Sequence, residues 1–176
     1  MIHNFYAFIA SSAPHLRKHA FRFAYNVMSR FIFSGEPIAF LNYGYADDNT
    51  EMFRENLKAP DREDHLSIRL YSRLLDEIPI AHKRVMDVGC GRGGGSSYIA
   101  RYLRPAEFVG VVYSTRSITF CNRHHKVENL PFRVGDAETL RFEPNSFDGF
   151  GNVESSLAYS DESAFFASAR SRLAPP

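Results

Sequence analysis

Cysteine is scarce in this chain, and charge of neither sign is in excess. Cys90 and Cys121 are its two cysteines in 176 residues. Two thiols cannot build a disulfide framework, and their spacing matches no zinc site. A reduced, cytoplasmic setting is therefore expected. Lys and Arg number 21 against 20 Asp and Glu, a net charge of +1. That balance removes the electrostatic ground for a nucleic-acid partner. Missing too is any run of the ~18 apolar residues that a membrane helix needs. The apolar run over 5–10 is short and no basic segment precedes it, so a cleaved signal peptide is not expected. Repeats and low-complexity tracts are absent. What remains is ordinary globular usage, 44% apolar and 23% charged, in a length that suits one domain.

The first 33 residues hold four basic residues, Arg17, Lys18, Arg22 and Arg30, and no acid. Leu16, Ala20, Phe23, Ala24, Val27, Met28 and Phe31 recur at helical spacing. Such an amphipathic helix either packs on the domain or serves as a lid or membrane-surface contact for an apolar substrate. Residues 47–64 turn acidic and read as a solvated connector. Leu66, Leu70, Leu74 and Ile78, four apart, predict a helix over 64–77 that Pro79 stops. From Lys83 onward strands and helices alternate. Strands are predicted over 84–88, 108–113, 132–134 and 147–153, the last weakened by Gly149 and Gly151. Helices are predicted over 95–103, from a Ser114 or Ser117 cap through His125, and over 161–173. This alternation means βαβ crossovers and a parallel sheet.

The chemistry-bearing segment is the turn after the first strand, Asp87-Val88-Gly89-Cys90-Gly91-Arg92-Gly93-Gly94-Gly95. In open α/β sheets ligands bind beyond the carboxyl ends of the strands. Glycines let a ligand approach the backbone, and the helix start offers N–H groups to an anion. A P-loop is excluded, because no Gly-Lys-Ser/Thr closes the turn. A dinucleotide fingerprint can be read from Gly89, Gly91 and Gly94. It wants an acid some 20 residues on, where the chain has Val111-Val112-Tyr113. A nicotinamide-dependent dehydrogenase is thus the weaker reading. The other is D-x-G-x-G-x-G, from Asp87, Gly89, Gly91 and Gly93, joined by Gly135-Asp136-Ala137-Glu138 after the third strand.

Those two motifs resemble the S-adenosylmethionine-binding motifs of class I methyltransferases. The segments 42–47 (Asn-Tyr-Gly-Tyr-Ala-Asp), 91–98, 135–138 and 152–156 (Asn-Val-Glu-Ser-Ser) are similar to the phthiotriol/phenolphthiotriol dimycocerosates methyltransferases over most of residues 40–173. The resemblance implies an α/β, Rossmann-like class I methyltransferase sheet preceded by N-terminal helices. It implies S-adenosylmethionine as cofactor and O-methylation of a hydroxyl on a long-chain lipid. Asp87 would help hold the cofactor's ammonium, with Gly89, Gly91 and Gly93 against its carboxylate side. Asp136 would accept from the adenine amino group, and the Ala137 N–H would donate to the ring. Tyr43 and Tyr45 would close over the cofactor as a substrate-side lid. Glu154 and Asn152, past the fourth strand, are the catalytic candidates as base or substrate contact. His124 and His125 read as surface cations at a helix end, and no metal-ligand pattern accompanies them.

Three departures stand out. Val112 occupies the place of the acid that holds the cofactor's ribose in the family. Leu157 stands where the family's Glu-Ser-Ser is followed by His. The chain ends at Arg172-Leu173-Ala174-Pro175-Pro176, where the family continues into further strands. The expectation is an incomplete sheet of about four parallel strands, for which the resemblance implies the order 3-2-1-4. Residues 1–63 would form the helical lid and linker, and 64–176 a truncated, impaired methyltransferase core. The open fourth strand would invite a partner or self-association. A reading of another class is a non-catalytic remnant or binding module of the same fold. The expected location is cytoplasmic, with peripheral membrane contact through the N-terminal helix.

Overall fold

The computed structural model describes residues 38–175 together with Ala20, Phe23 and Val27. Those three are helical, and Phe23 is exposed. The rest of the N-terminal amphipathic stripe lies outside the described residues.

Strands β1 (Arg84–Val88), β2 (Glu107–Val112), β3 (Phe132–Val134) and β4 (Gly149–Gly151) form one sheet in the order β3-β2-β1-β4. Every pairing is parallel, with Val85 opposite Phe108 and Gly149, and Val112 opposite Val134. A parallel sheet is covered on both faces, which is why β1 and β2 read as near-continuous apolar runs. Side chains alternate between two cores. Val85 and Phe108 join Ile99, Ile118 and Ile68 on one face. Met86, Val88, Val109 and Val111 join Phe147, Phe165 and Ala169 on the other.

The crossovers are α3 (Gly94–Tyr102) and α4 (Thr115–His124), and α5 (Glu162–Arg170) follows β4. Ser114 caps α4, its side chain accepting from the Ser117 N–H. Asp161 caps α5, accepting from the Ala164 N–H at 2.9 Å. Each cap satisfies a donor the helix start would leave orphaned.

Two expectations are corrected. The acidic stretch 47–64 is no bare connector: it holds α1 (Thr50–Asn56) and a 3-10 turn at Ala59–Asp61. Thr50, Phe53 and Leu57 lie on one side, with Thr50 and Leu57 buried and Phe53 packed on the core. Asp61 holds Arg101 through both guanidinium nitrogens at 2.7 and 2.8 Å. The exposed acids mask this apolar side in composition.

In α2 (His65–Leu75) the buried residues are Ile68 and Tyr71, whereas Leu66 and Leu74 are exposed. A strict four-residue ladder drifts ~40° round the helix at each step. Spacing of three and then four stays on one face, which is why Ile68, Tyr71 and Leu75 meet the core.

The fourth strand is also shorter than its apolar run. Phe147 instead makes a parallel bridge to Leu173, with Ser146 and Phe147 N–H groups on the Arg172 carbonyl at 2.9 and 3.0 Å. Among the described residues, no helix is long and apolar enough to cross a membrane.

Candidate active site

The sheet order brings the ends of β1, β2 and β3 side by side, so the segments 89–95, 113–114 and 135–138 share one carboxyl edge. The turn after β1 is stitched to β2, since Gly89 and Cys90 N–H groups both donate to the Val111 carbonyl at 2.8 and 3.0 Å. Gly89, Gly91 and Gly93 have φ of 86°, 56° and 79°, the left-handed region that a side chain makes costly. At Gly89 an added Cβ would also meet Ser155 Oγ at 2.0 Å. Gly94 and Gly95 are packed against the chain itself. The Gly94 N–H at the start of α3 donates to the Ala39 carbonyl at 3.1 Å. A Cβ at Gly95 would enter the Tyr71 ring at 2.0 Å. The expected anion-receiving helix start is thus used, at Gly94, by the chain's own backbone.

Beneath the turn lies Asp87, buried, with Ser96 Oγ donating to its Oδ2 at 2.6 Å. Burial pushes its carboxyl up to about 6, against the opposing pull of the Ser96 hydrogen bond. β2 ends on Val112, whose carbonyl accepts from the Gly135 N–H at 3.1 Å. Asp136 caps the 3-10 turn Ala137–Thr139, its Oδ1 accepting from the Glu138 N–H at 3.1 Å. Ala137 is buried. The Glu138 carboxylate accepts from the Ser160 N–H at 2.8 Å and its hydroxyl at 2.9 Å. It thereby ties this turn to the start of α5, a role the sequence pattern did not announce.

Beyond β4, Asn152 Nδ2 lies 2.9 Å from the Val88 carbonyl and 2.7 Å from both Ser155 Oγ and Tyr159 OH. An amide has two N–H groups, so it serves two of these three at once. Ser155 Oγ also reaches the Val88 carbonyl at 3.1 Å and Tyr159 OH at 2.8 Å. Burial raises the Tyr159 phenol to about 12, with the Ser155 and Asn152 hydrogen bonds opposing. Neither Ser155 nor Tyr159 stood out as a site residue in sequence, yet both lie against the Gly89 turn.

Glu154 adopts φ 58°, and its Oε2 accepts from the Tyr43 backbone N–H at 3.1 Å. The Tyr43 ring is 91% exposed, so its backbone, not its ring, meets the β4 loop. Tyr45 N–H donates to the Leu66 carbonyl at 3.0 Å, and Asn42 Nδ2 to that of Ser67 at 3.0 Å.

The expectation of two surface histidine cations fails at His125. Its Nε2 donates to the Arg92 carbonyl at 2.8 Å, since a carbonyl can only accept. Burial holds its basicity down to about 4, against that hydrogen bond. His125 is therefore neutral at pH 7 and braces the turn. Among the described residues, no group of three His, Cys, Asp or Glu side chains is placed to hold a metal ion.

Comparison with known proteins gives consistent results. Residues 85–176 match the family model described as a methyltransferase domain. The chain is 41% identical over 124 residues to a fatty-acid O-methyltransferase of Mycolicibacterium smegmatis, an alignment covering 70% of this chain and 44% of that protein. It is 39% identical over 151 residues to phthiotriol/phenolphthiotriol dimycocerosates methyltransferase 1 of Mycobacterium ulcerans, covering 85% of this chain and 54% of that one. The chain thus spans about half the length of these curated relatives. Among solved structures, the cyclase SpnF superposes with a TM-score of 0.70 at 19% identity, over 86% of this chain and 55% of that one. A geranyl diphosphate methyltransferase in complex with S-adenosylmethionine does so with 0.62 at 24%, over 78% and 59%. At these identities the structural likeness establishes the fold.

Proposed function

The chain belongs to the methyltransferase-domain family, and from that membership we propose that it is an S-adenosylmethionine-dependent O-methyltransferase whose acceptor is a long-chain lipid. One observation carries the reading: the glycine turn at 89–93, the β2 end at Val112 and the Asp136–Ala137 turn adjoin on one sheet edge. A nucleoside joined to an amino-acid tail needs that arrangement, with its tail at β1, its ribose at β2 and its base at β3.

The residues present fit that cofactor in chemistry at two of three stations. Asp87 offers a buried carboxylate for the ammonium, and the positive-φ glycines hold the turn beside it, with Ser155 packed on Gly89 and Phe132 on Gly93. Asp136 and Ala137 offer an acceptor and a neighbouring N–H for adenine. At the third, Val112 offers the ribose no acceptor. When bound, S-adenosylmethionine would supply a methyl on a sulfonium sulfur, leaving as S-adenosylhomocysteine, with the proton of a hydroxyl acceptor released to solvent. The chain's own contribution is alignment and exclusion of water. Asn152, Ser155 and Tyr159 fix the loop beside the transferring centre.

Two acceptors are separable. The relatives named for phthiotriol substrates favour a hydroxyl on a diol-type lipid. A fatty-acid carboxylate is favoured by the relative at 41% identity, and by Leu157. That side chain is 69% exposed and cannot take a proton; a carboxylate, already ionised at pH 7, needs none removed. Methyl transfer from labelled S-adenosylmethionine, offered each lipid separately, distinguishes them. Labelled ester from the fatty acid alone assigns the carboxylate, and labelled ether from the diol alone the hydroxyl. No labelled product from either contradicts both.

With a lipid acceptor, the proposal includes a cytoplasmic protein that works at a membrane surface. The basic N-terminal segment is the element proposed to touch it. The outer edge of β4 beyond the Phe147–Leu173 bridge, where among the described residues β4 pairs only with β1, is the surface proposed for a partner or second copy.

A further inference from the structure

Residues 38–46 form a strap that lies across the candidate site. It is fastened at one end to the glycine turn, where Arg92 Nε donates to the Ile38 carbonyl at 2.5 Å and Gly94 N–H to that of Ala39 at 3.1 Å. At the other end Asn42 and Tyr45 are fastened to α2. Within that second end, the hydrogen bond from Tyr43 N–H to Glu154 Oε2 joins the strap to the loop after β4, across 111 residues of sequence. Glu154 makes that bond from φ 58°, a conformation costly for a residue with a long side chain. It persists only where the surroundings over-determine it. The surroundings do so here: Asn152 and Ser155, on either side of it, are both fixed to the Val88 carbonyl.

Resting on the methyltransferase reading, we propose that Glu154 is a positioning residue. Its carboxylate latches the strap over the carboxyl edge of β1 and β4 and so closes the amino-acid end of the cofactor site. The feature needed at residue 154 is an acceptor oxygen on a side chain of this length, not a titrating base. Closing a strap in advance lowers the ordering cost that binding would otherwise carry. The latch therefore acts on cofactor affinity.

Two variants and two readouts test this. Glu154→Ala removes the acceptor; Glu154→Gln keeps a carbonyl oxygen on the same stem. Hydrogen exchange of the Tyr43 amide, followed by NMR without ligand, reports the latch directly. It should speed up at least tenfold in E154A and stay near wild type in E154Q. Titration with S-adenosylhomocysteine should show about tenfold weaker binding in E154A and recovery in E154Q. Unchanged exchange in E154A overturns the latch, and fast exchange with unchanged affinity overturns its effect on the cofactor. Loss of affinity in E154Q as deep as in E154A shows that charge is what matters and contradicts the proposal. Wild-type protein that takes up no S-adenosylhomocysteine at millimolar concentration removes the methyltransferase reading and the cofactor half with it. The exchange experiment still decides the latch.

Discussion

Asp87 carries the most consequential ionisation in the site. Its carboxyl is pushed up to about 6 by burial, and a cationic ammonium favours its ionised form. Below pH 6 binding must first expel a proton. Affinity for S-adenosylhomocysteine should therefore fall roughly tenfold per pH unit below 6 and level off above it. Calorimetric titration at pH 5 and pH 7 checks this, and a flat profile across that interval would place the ammonium elsewhere. At Val112 the prediction runs the other way. Val112→Asp at the end of β2 restores a ribose acceptor. One charge-assisted hydrogen bond, about 1.5 kcal/mol net, is worth about tenfold in affinity. Unchanged affinity in V112D would mean that the ribose does not lie there. At this scale the sequence was informative where a backbone requirement dictates residue type, as at Gly89 and Gly93. It was silent on Ser155 and Tyr159, because a hydroxyl in a polar loop carries no mark of what it will face. The strained dihedral of Glu154 is likewise written in no local pattern.

Among the elements, α1 is the one most easily misjudged. Its acids suggest solvent, yet Leu57 just beyond it is 4% exposed and packs in the core. Leu57→Ala should cost about 2–5 kcal/mol, the range for truncating a buried leucine. Denaturant midpoints at unchanged slope would measure it, and a loss under 0.5 kcal/mol would return this segment to the role of a solvated connector. β1 and β3 have the limits their apolar runs predict, because both are bounded by turn chemistry; β1 is buried from Val85 to Val88, whereas in the edge strand β3 only Phe132 is buried and Val134 is exposed. β4 does not. Gly149 and Gly151 bring no side chains to pack, and only three residues pair with β1. For α2 the leucine ladder marks the helix but not its buried face, which runs through Ile68 and Tyr71.

For the molecule as a whole, the order β3-β2-β1-β4 turns separate motifs into one edge. That order, 3-2-1-4, was expected from the family resemblance and not from any local signal, because no local signal says which strand tips become neighbours. The site depends on the sheet rather than on any single residue. Its most direct test is therefore the cofactor itself. Isothermal titration of the protein with S-adenosylhomocysteine at pH 7.5 should show one site per chain, with a dissociation constant in the micromolar to sub-millimolar range. V112D should bind more tightly and E154A more weakly. No heat from wild type or from V112D at millimolar ligand would contradict the account.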